Sequence, residues 1–242
     1  MYEIRPLHLG TLTVDKSGLT LRKDLGKKIS APCLGFLILG DDAPLLVDTG
    51  PSMDEAWGTR YHNPLRRPAD QSLAAQLALH GLGVEDIQHV VLTHLHWDHC
   101  YGNDDVPNAR FYVQNTEVHY AADPLPCDAP IYESDTDPVH FHASRDRFVT
   151  FEGHKQLREG VDLVPLPGHS PGLQGVLVQT GAGKYLIGGD HFPLFENYEH
   201  GIPTGIVHSL PDWYRATKEA RGLEAKVLPG HDIRVLDKTR YG

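Results

Sequence analysis

The chain has 242 residues, a hydrophobic content of 40% and a formal net charge of -10, with a pI near 5.8. A chain of this size can fill one hydrophobic core, so we expect a single domain over residues 1–242. The acidic balance argues against a nucleic-acid or anionic-membrane partner, because such partners require clustered Lys and Arg. We therefore expect a small-molecule substrate, no nucleic acid and no membrane, and we leave a homodimer open.

The first residues and the cysteines indicate the compartment. The start MYEIRPLHLG lacks the apolar core of a signal peptide, and no apolar run approaches the ~18 residues of a membrane span, so we expect a cytoplasmic protein. Cys33, Cys100 and Cys127 form neither an even framework nor a CxxC pair, and we interpret them as free thiols. Sixteen histidines against two methionines is an unusual surplus of the commonest metal-binding side chain.

The first half of the chain alternates strands with a helix. Short apolar runs predict strands at residues 34–39, 44–47 and 87–92. Between the last two, residues 72–80 predict a helix that Ser72 caps and Gly81 ends. The strand at 87–92 is almost wholly apolar, as expected of a strand buried between layers. The histidine-rich segment begins where this strand ends.

The second half continues this alternation after one long interruption. Residues 123–150 are rich in proline and lack a sustained period, so we predict a long surface excursion there. Its part from 124 to 149, with Tyr132, Glu133 and Phe141, is expected to cover the pocket. The predicted elements around it are a strand at 109–113, a helix at 115–122 capped by Asn115, strands at 161–165, 173–179 and 185–187, a helix at 212–224 and a strand at 226–228. This order favours a layered α/β or α+β sandwich.

Four potential metal ligands follow the buried strand within six positions: His94, His96, Asp98 and His99. In an extended chain, residues two apart point to the same side, so His94 and His96 can hold one ion together. Asp98 and His99 can face a second ion if the chain turns there, as in a two-metal site. Imidazole and carboxylate donors suit zinc and tolerate manganese, iron or cobalt. The structural alternative is a histidine-rich surface loop.

Three later turns each place a ligand-type side chain among glycines and prolines at the end of a predicted strand. They contain His169, Asp190 and His231. Glycine lets the backbone turn sharply and brings such side chains close to a shared centre. Together these turns can supply further ligands to both ions.

The HxHxDH motif, the later His, the later Asp and the final His resemble the metallo-β-lactamase superfamily over residues 34–232. The resemblance implies a four-layer αββα sandwich with a dinuclear metal site at one edge. It implies a first cation on His94, His96 and His169, a second on Asp98, His99 and His231, and a bridge by Asp190. Asp48 matches a position behind the metals where a carboxylate orients a ligand histidine. A turn-stabilising aspartate is the alternative for Asp48.

Two cations that flank a water lower its pKa and polarise a carbonyl, so hydrolysis needs no protein nucleophile. Asp98 or Asp190 is the candidate catalytic proton carrier. The segments at 46–50, 113–117 and 167–172 resemble the N-acyl homoserine lactonase group, which implies opening of a lactone, the reaction of quorum quenching. Those lactonases place a tyrosine three residues after the bridging aspartate, where this chain has Pro193.

His191 and Tyr198 are the alternative polar residues for substrate binding. Two further functions stay open at this point. One is hydrolysis of another small ester, amide or phosphotriester at the same site, because the fold does not fix specificity. The other is a non-catalytic metal-binding protein, which would fill every coordination position with protein ligands.

Overall fold

The computed structural model describes residues 1–40, 43–61, 63–133 and 140–242, without the side chains of residues 60, 61 and 140–143. Two β-sheets face each other, and helices cover their outer faces. This arrangement confirms the predicted four-layer αββα sandwich. In these described ranges, no helix is both long and apolar enough to span a membrane.

The first sheet has seven strands, in the spatial order β4-β1-β2-β3-β5-β6-β7. They are β1 (Glu3–Asp15), β2 (Lys28–Leu39), β3 (Leu45–Val47), β4 (Leu65–Arg66), β5 (His89–Val91), β6 (Arg110–Gln114) and β7 (Phe148–Phe151). The four strands β3, β5, β6 and β7 are parallel to one another. The carboxyl ends of β3 and β5 therefore lie at the same edge.

The second sheet has five strands, in the order β12-β11-β10-β9-β8. They are β8 (Lys155–Arg158), β9 (Val161–Pro165), β10 (Gln174–Thr180), β11 (Gly183–Gly189) and β12 (Lys226–Pro229). The last two strands are parallel, whereas the other pairs are antiparallel. Parallel pairing brings the residues that follow β11 and β12 to one edge of the sheet.

The helices are short except at the end of the chain. They are α1 (Glu55–Tyr61), α2 (Leu73–Ala78), α3 (Trp97–Cys100), α4 (Asn115–Ala122), α5 (Ala129–Tyr132), α6 (Phe195–His200) and α7 (Leu210–Gly222). Side chains of α2 and α4 pack on the outer face of the first sheet, and those of α7 pack on the second. The hydroxyl of Ser72 accepts a hydrogen bond from the backbone N–H of Ala75, which confirms the predicted cap of α2.

Strand alternation explains how the layers are held together. Phe36 and Ile38 of β2 point between the two sheets, whereas Leu37 points to the helical layer. In the strand before the histidine motif, Val91 faces the second sheet and Val90 faces the helices. Burying each such side chain contributes roughly 1.5–3 kcal/mol, and a shift of one residue would reverse both faces. This packing fixes the register of β5 and hence the position at which the motif begins.

Several sequence predictions require correction. The long strand β1 was not predicted, because Pro6 and Gly10 interrupt its pattern and a register irregularity lies between His8 and Thr11. The predicted excursion at 123–150 contains α5, a 3-10 helix at His140–Arg147 and the start of β7. The N-cap of α4 is Gln114, not Asn115 as predicted.

Candidate metal centre

All the predicted metal ligands follow the ends of strands. The HxHxDH segment follows β5, and Asp48 follows the neighbouring parallel strand β3. In the second sheet, His169 follows β9, Asp190 follows β11 and His231 follows β12. Both sheets therefore deliver side chains to one edge of the sandwich.

Three histidines form one side of the cluster. His94, His96 and His169 each offer a ring nitrogen, and these nitrogens lie within 4.8 Å of one another. His169 Nε2 and His96 Nδ1 are 2.9 Å apart. The resemblance assigns these three residues to the first cation.

The Asp190 carboxylate lies between this group and a second one. Its Oδ2 is 3.6 Å from His169 Nε2, whereas its Oδ1 is 3.3 Å from His99 Nε2 and 3.1 Å from His231 Nε2. Asp98 Oδ2 is 3.5 Å from His231 Nε2 and 3.7 Å from His99 Nε2. The structure thus brings all seven predicted ligands together.

Hydrogen bonds behind the cluster orient the rings of His94, His99, His169 and His231. Each of these rings donates its Nδ1–H outwards, which turns Nε2 towards the cluster. His99 donates to Asp48 Oδ2 at 2.8 Å, and His94 donates to Thr93 Oγ1 at 3.0 Å. His169 donates to the carbonyl of Ile206, and His231 donates to that of Pro32.

Asp48 is the main support behind the HxHxDH segment. Its Oδ1 accepts from the backbone N–H of Thr93, and its Oδ2 accepts from the Thr93 hydroxyl and from His99. The residue has a left-handed backbone with φ of 59°, which is uncommon outside glycine and suits a tight turn. This contact shows that Asp48 orients the ring of His99, one of the predicted ligands.

Glu117, at the start of α4, is a second buried support that the sequence did not identify. Its Oε1 accepts from the backbone N–H of Leu95 and from the hydroxyl of Tyr132. Its Oε2 accepts from the Ser170 hydroxyl and from the backbone N–H of Gly172. One carboxylate thus connects the HxHxDH segment, the turn that carries His169 and the segment that ends α5.

The charges in the cluster favour the cation-binding forms of His94 and Asp190. Burial lowers the pKa of His94 well below its ordinary value, and repulsion from His99 lowers it further, so the His94 ring is neutral at pH 7. Burial opposes ionisation of Asp190, but His231 and His99 hold the pKa of this carboxyl well below its usual range. A neutral imidazole and an ionised carboxylate are the forms that metal binding requires. Burial opposes protonation of His99 and His231, but the carboxylates of Asp190 and Asp98 raise the pKa of both rings, so a cation would have to displace a proton there.

Several inward-facing atoms make no hydrogen bond within the protein. His94 Nε2, His99 Nε2 and Asp190 Oδ1 are buried without a hydrogen bond. An unsatisfied buried polar atom costs roughly 1–3 kcal/mol, so such a concentration needs an explanation. Divalent cations between these nitrogen and oxygen donors would remove that cost, and the donor set fits zinc.

A cavity of about 190 Å³ opens onto the cluster. Its floor includes His96, Asp98, His169, Asp190 and His231. The rest of its lining is mostly apolar and consists of Leu12, Val14, Leu19, Ala31, Asn63, Trp97, Pro130, Ile131 and Ile206. None of these described lining residues is a Lys or an Arg, so the cavity suits a small neutral ligand with an apolar part.

The two candidate substrate residues, His191 and Tyr198, do not line the cavity. His191 is fully buried, with Nδ1 bonded to the Leu166 carbonyl, Nε2 bonded to the Thr217 hydroxyl, and its ring stacked on Trp213. Burial lowers the pKa of His191 to about 3. Tyr198 packs against Phe192 and beneath the Arg221 guanidinium, outside the cavity lining. In the structure His191 packs in the core, and Tyr198 packs nearer the surface.

The predicted cover of the pocket is partly present. Pro130 and Ile131 of α5 line the cavity, and the ring of Tyr132 packs edge-on against His96 at 4.6 Å. Glu133 is buried at the end of this segment. The side chain of Phe141 lies outside the described residues.

The chain matches the profile of the metallo-beta-lactamase superfamily over residues 31–231. This match covers most of the sequence, so the chain belongs to that superfamily. The motif resemblance seen in the sequence is thereby confirmed.

Two curated relatives share about a quarter of their residues with this chain. An N-acyl homoserine lactonase of Bacillus thuringiensis is 27% identical over 205 residues, which cover 80% of this chain and 77% of the relative. A second, from Rhizobium radiobacter, is 26% identical over 244 residues, 93% of this chain and 91% of the relative. A solved N-acyl homoserine lactone hydrolase, with N-hexanoyl-L-homoserine at its catalytic metal centre, shares the fold with a TM-score of 0.82. It has 22% identity, and the match covers 97% of this chain and 95% of that one.

Proposed function

We propose that this protein is a dinuclear metal-dependent hydrolase that opens the ring of a small lactone. The wider class, a metal-dependent enzyme that hydrolyses ester bonds, is confirmed by superfamily membership and by the lactonase relatives. The finer proposal depends on the Asp190 carboxylate, which points one oxygen at His169 and the other at His99 and His231. A carboxylate shared by two cations requires this arrangement.

The ligand set divides into two halves around that carboxylate. Zinc is the best match to its donors, and the proposed ligands are His94, His96 and His169 for one ion, Asp98, His99 and His231 for the other, and Asp190 for both. When bound, two such cations would lower the pKa of a water between them and polarise the ester carbonyl. Asp48 and Glu117 keep the ligand segments in place through the bonds described above.

Asp98 is the proposed proton carrier. Its side chain is 12% exposed, more than the 8% of Asp190, and it lines the cavity. Its carboxylate can accept the proton of the attacking water and return it to the leaving alkoxide. Asp190 is the alternative carrier, but it lies deeper and faces three histidine nitrogens.

The cavity and Pro193 favour a lactone over other substrates. A small, largely apolar cavity without Lys or Arg among its described lining suits a neutral ester. Pro193 has no side-chain donor for the leaving group, and its carbonyl accepts from the backbone N–H of His231 at 2.9 Å. An amide needs protonation of a poorer leaving group, whereas an alkoxide leaves with less help. We expect lactones to react fastest, activated esters next and amides slowest.

The test is a substrate panel on the zinc, manganese and cobalt forms of the full chain. It would compare homoserine, aliphatic and aromatic lactones with aryl esters, phosphotriesters and amides by kcat/KM. We expect the highest kcat/KM for a lactone and loss of activity after chelation. Much higher kcat/KM for amides or phosphotriesters than for every lactone would contradict the lactonase proposal.

A further inference from the structure

We propose that the sulfur of Cys33 is an additional ligand of the second cation. This inference rests on the proposed two-cation site. It adds a sulfur donor to a set that otherwise contains only imidazole nitrogens and carboxylate oxygens.

The position of Cys33 carries the proposal. The residue lies in β2 and is 1% exposed. Its sulfur, a carboxylate oxygen of Asp98 and a ring nitrogen of His231 all lie within 4.8 Å of one another. Tetrahedral ligands at about 2.0–2.3 Å from one zinc lie roughly 3.3–3.5 Å apart, so the three atoms would have to approach one another by up to about 1.5 Å to contact a single ion.

The backbone of β2 holds this group together. The carbonyl of Pro32 accepts the Nδ1–H of His231 at 2.8 Å, and Cys33 is the next residue. One strand therefore orients the His231 ring and also places the sulfur beside it. This contact between β2 and His231 involves no residue of the HxHxDH motif.

The buried guanidinium of Arg67 belongs to the surroundings of the Cys33 sulfur. Arg67 is 2% exposed, and its Nη2 is buried without a hydrogen-bond partner. Burial and the Asp98 carboxylate raise the pKa of the Cys33 thiol well above its ordinary value, and the positive charge of Arg67 opposes this only in part. A bound divalent cation would displace the thiol proton to solvent and form the metal–sulfur bond.

The other two cysteines lack these features. Cys100 is buried too, but its thiol donates to the carbonyl of Leu95 at 3.5 Å. Cys127 is exposed. Within the described part of the chain, only Cys33 joins a group of metal-ligand side chains.

A sulfur ligand would change which metals the second position prefers. Thiolates favour zinc, whereas carboxylates and water suit manganese. We therefore expect the second position to bind zinc more selectively than nitrogen and oxygen ligands alone would allow. Replacing Cys33 by serine should lower the ratio of zinc to manganese affinity by roughly tenfold or more.

The first experiment uses the wild-type full chain loaded with two zinc ions. Its zinc X-ray absorption spectrum should contain a sulfur neighbour at about 2.3 Å in addition to nitrogen and oxygen neighbours. On average, one sulfur should be found for every two zinc ions. A two-zinc protein with only nitrogen and oxygen neighbours would overturn the proposal.

The second experiment uses the cobalt form, in which a thiolate ligand gives a near-ultraviolet charge-transfer band. We expect this band in the wild type and in the control Cys127→Ser, and its loss in Cys33→Ser with two cobalt ions still bound. A band that persists in Cys33→Ser would overturn the proposal. If Cys33→Ser does not fold, Cys33→Ala replaces it, and the zinc spectrum of the wild type decides independently.

The two proposals can fail separately. A chain that binds no divalent cation contradicts both the proposed function and the role of Cys33. A chain that binds two cations, hydrolyses lactones and lacks a metal–sulfur contact contradicts the role of Cys33 alone.

Discussion

A buried carboxylate lies on each side of the His99 ring, and the two carboxylates differ in their hydrogen bonding. Behind the ring, both oxygens of Asp48 accept hydrogen bonds from Thr93 or from His99 itself. In front of the ring, Asp190 Oδ1 lies 3.3 Å from His99 Nε2 and has no hydrogen-bond partner. Both carboxylates are buried, so burial alone does not distinguish them.

The two carboxylates differ in whether protein groups donate hydrogen bonds to both of their oxygens. A buried group with all its bonds made by protein holds the structure, and a buried group left unsatisfied is available to a cation. Glu117, with four donors, resembles Asp48 in this respect. His191, whose two ring nitrogens are bonded within the core, is the histidine equivalent.

The largest effect is expected from Asp190→Ala. Removing a carboxylate that faces both groups of histidines should reduce bound metal from about two ions to about one. We expect kcat/KM on the best lactone to fall roughly a thousandfold or more, because metal stabilisation is worth several kcal/mol and each ~1.4 kcal/mol is tenfold. Metal analysis and steady-state kinetics would measure both changes.

The control for Asp190→Ala is Asp237→Asn, at an exposed position away from the cluster. This variant should match the wild type. If Asp190→Ala retains wild-type metal content and turnover, Asp190 is not a metal ligand, and the proposed difference from Asp48 is contradicted.

Asp48→Asn should have a smaller effect that added metal corrects. Asparagine tolerates the left-handed backbone but cannot accept from all three donors. We expect metal affinity to fall about 10–100-fold, as is typical when a group behind a metal ligand is removed. Titration with zinc should restore activity to Asp48→Asn and not to Asp190→Ala. Equal rescue of both variants would remove the distinction between support and ligand.

The smallest effect on catalysis is expected from His191→Gln. Because His191 does not line the cavity, its substitution should leave kcat/KM of the metal-loaded protein within about threefold, although it adjoins Asp190. A tenfold or greater loss of kcat/KM at full metal content would return His191 to the site.

His191 should instead affect acid stability. Burial holds its pKa at about 3 in the folded chain, against 6.5 for an ordinary histidine. The unfolded chain therefore takes up a proton first, and the stability contributed by neutral His191 is lost as the pH falls from about 6.5 towards 3. Chemical denaturation over this range should show a shallower acid dependence for His191→Gln than for the wild type.

The clustering of the seven proposed ligands could be predicted from sequence because their signals are local. Four of them occupy six consecutive positions, and His169, Asp190 and His231 each stand in a glycine turn after a strand. The role of Asp48 also depends on the parallel pairing of β3 with β5, which places its turn behind His99. A sequence without a fold leaves that role ambiguous.

The sequence could not predict contacts in which the direction of a side chain depends on the three-dimensional arrangement. His191 adjoins Asp190, but its side chain points to the core and not to the site. The sequence gives no local signal that Cys33 approaches His231, because β2 and the end of β12 are far apart in the chain. Glu117 was noted only as part of a resemblance, since its four donors come from separate segments.

Gly230, just before His231, limits how this site can be redesigned. A methyl group at this position would lie 2.7 Å from Asp190 Oδ1 and 3.0 Å from the backbone of Gly189. Because the backbone cannot move easily, any side chain would displace the carboxylate, so mutagenesis libraries aimed at new substrates should leave position 230 unchanged. Variation is better directed to Ile131 and Ile206, which line the cavity without belonging to the ligand set.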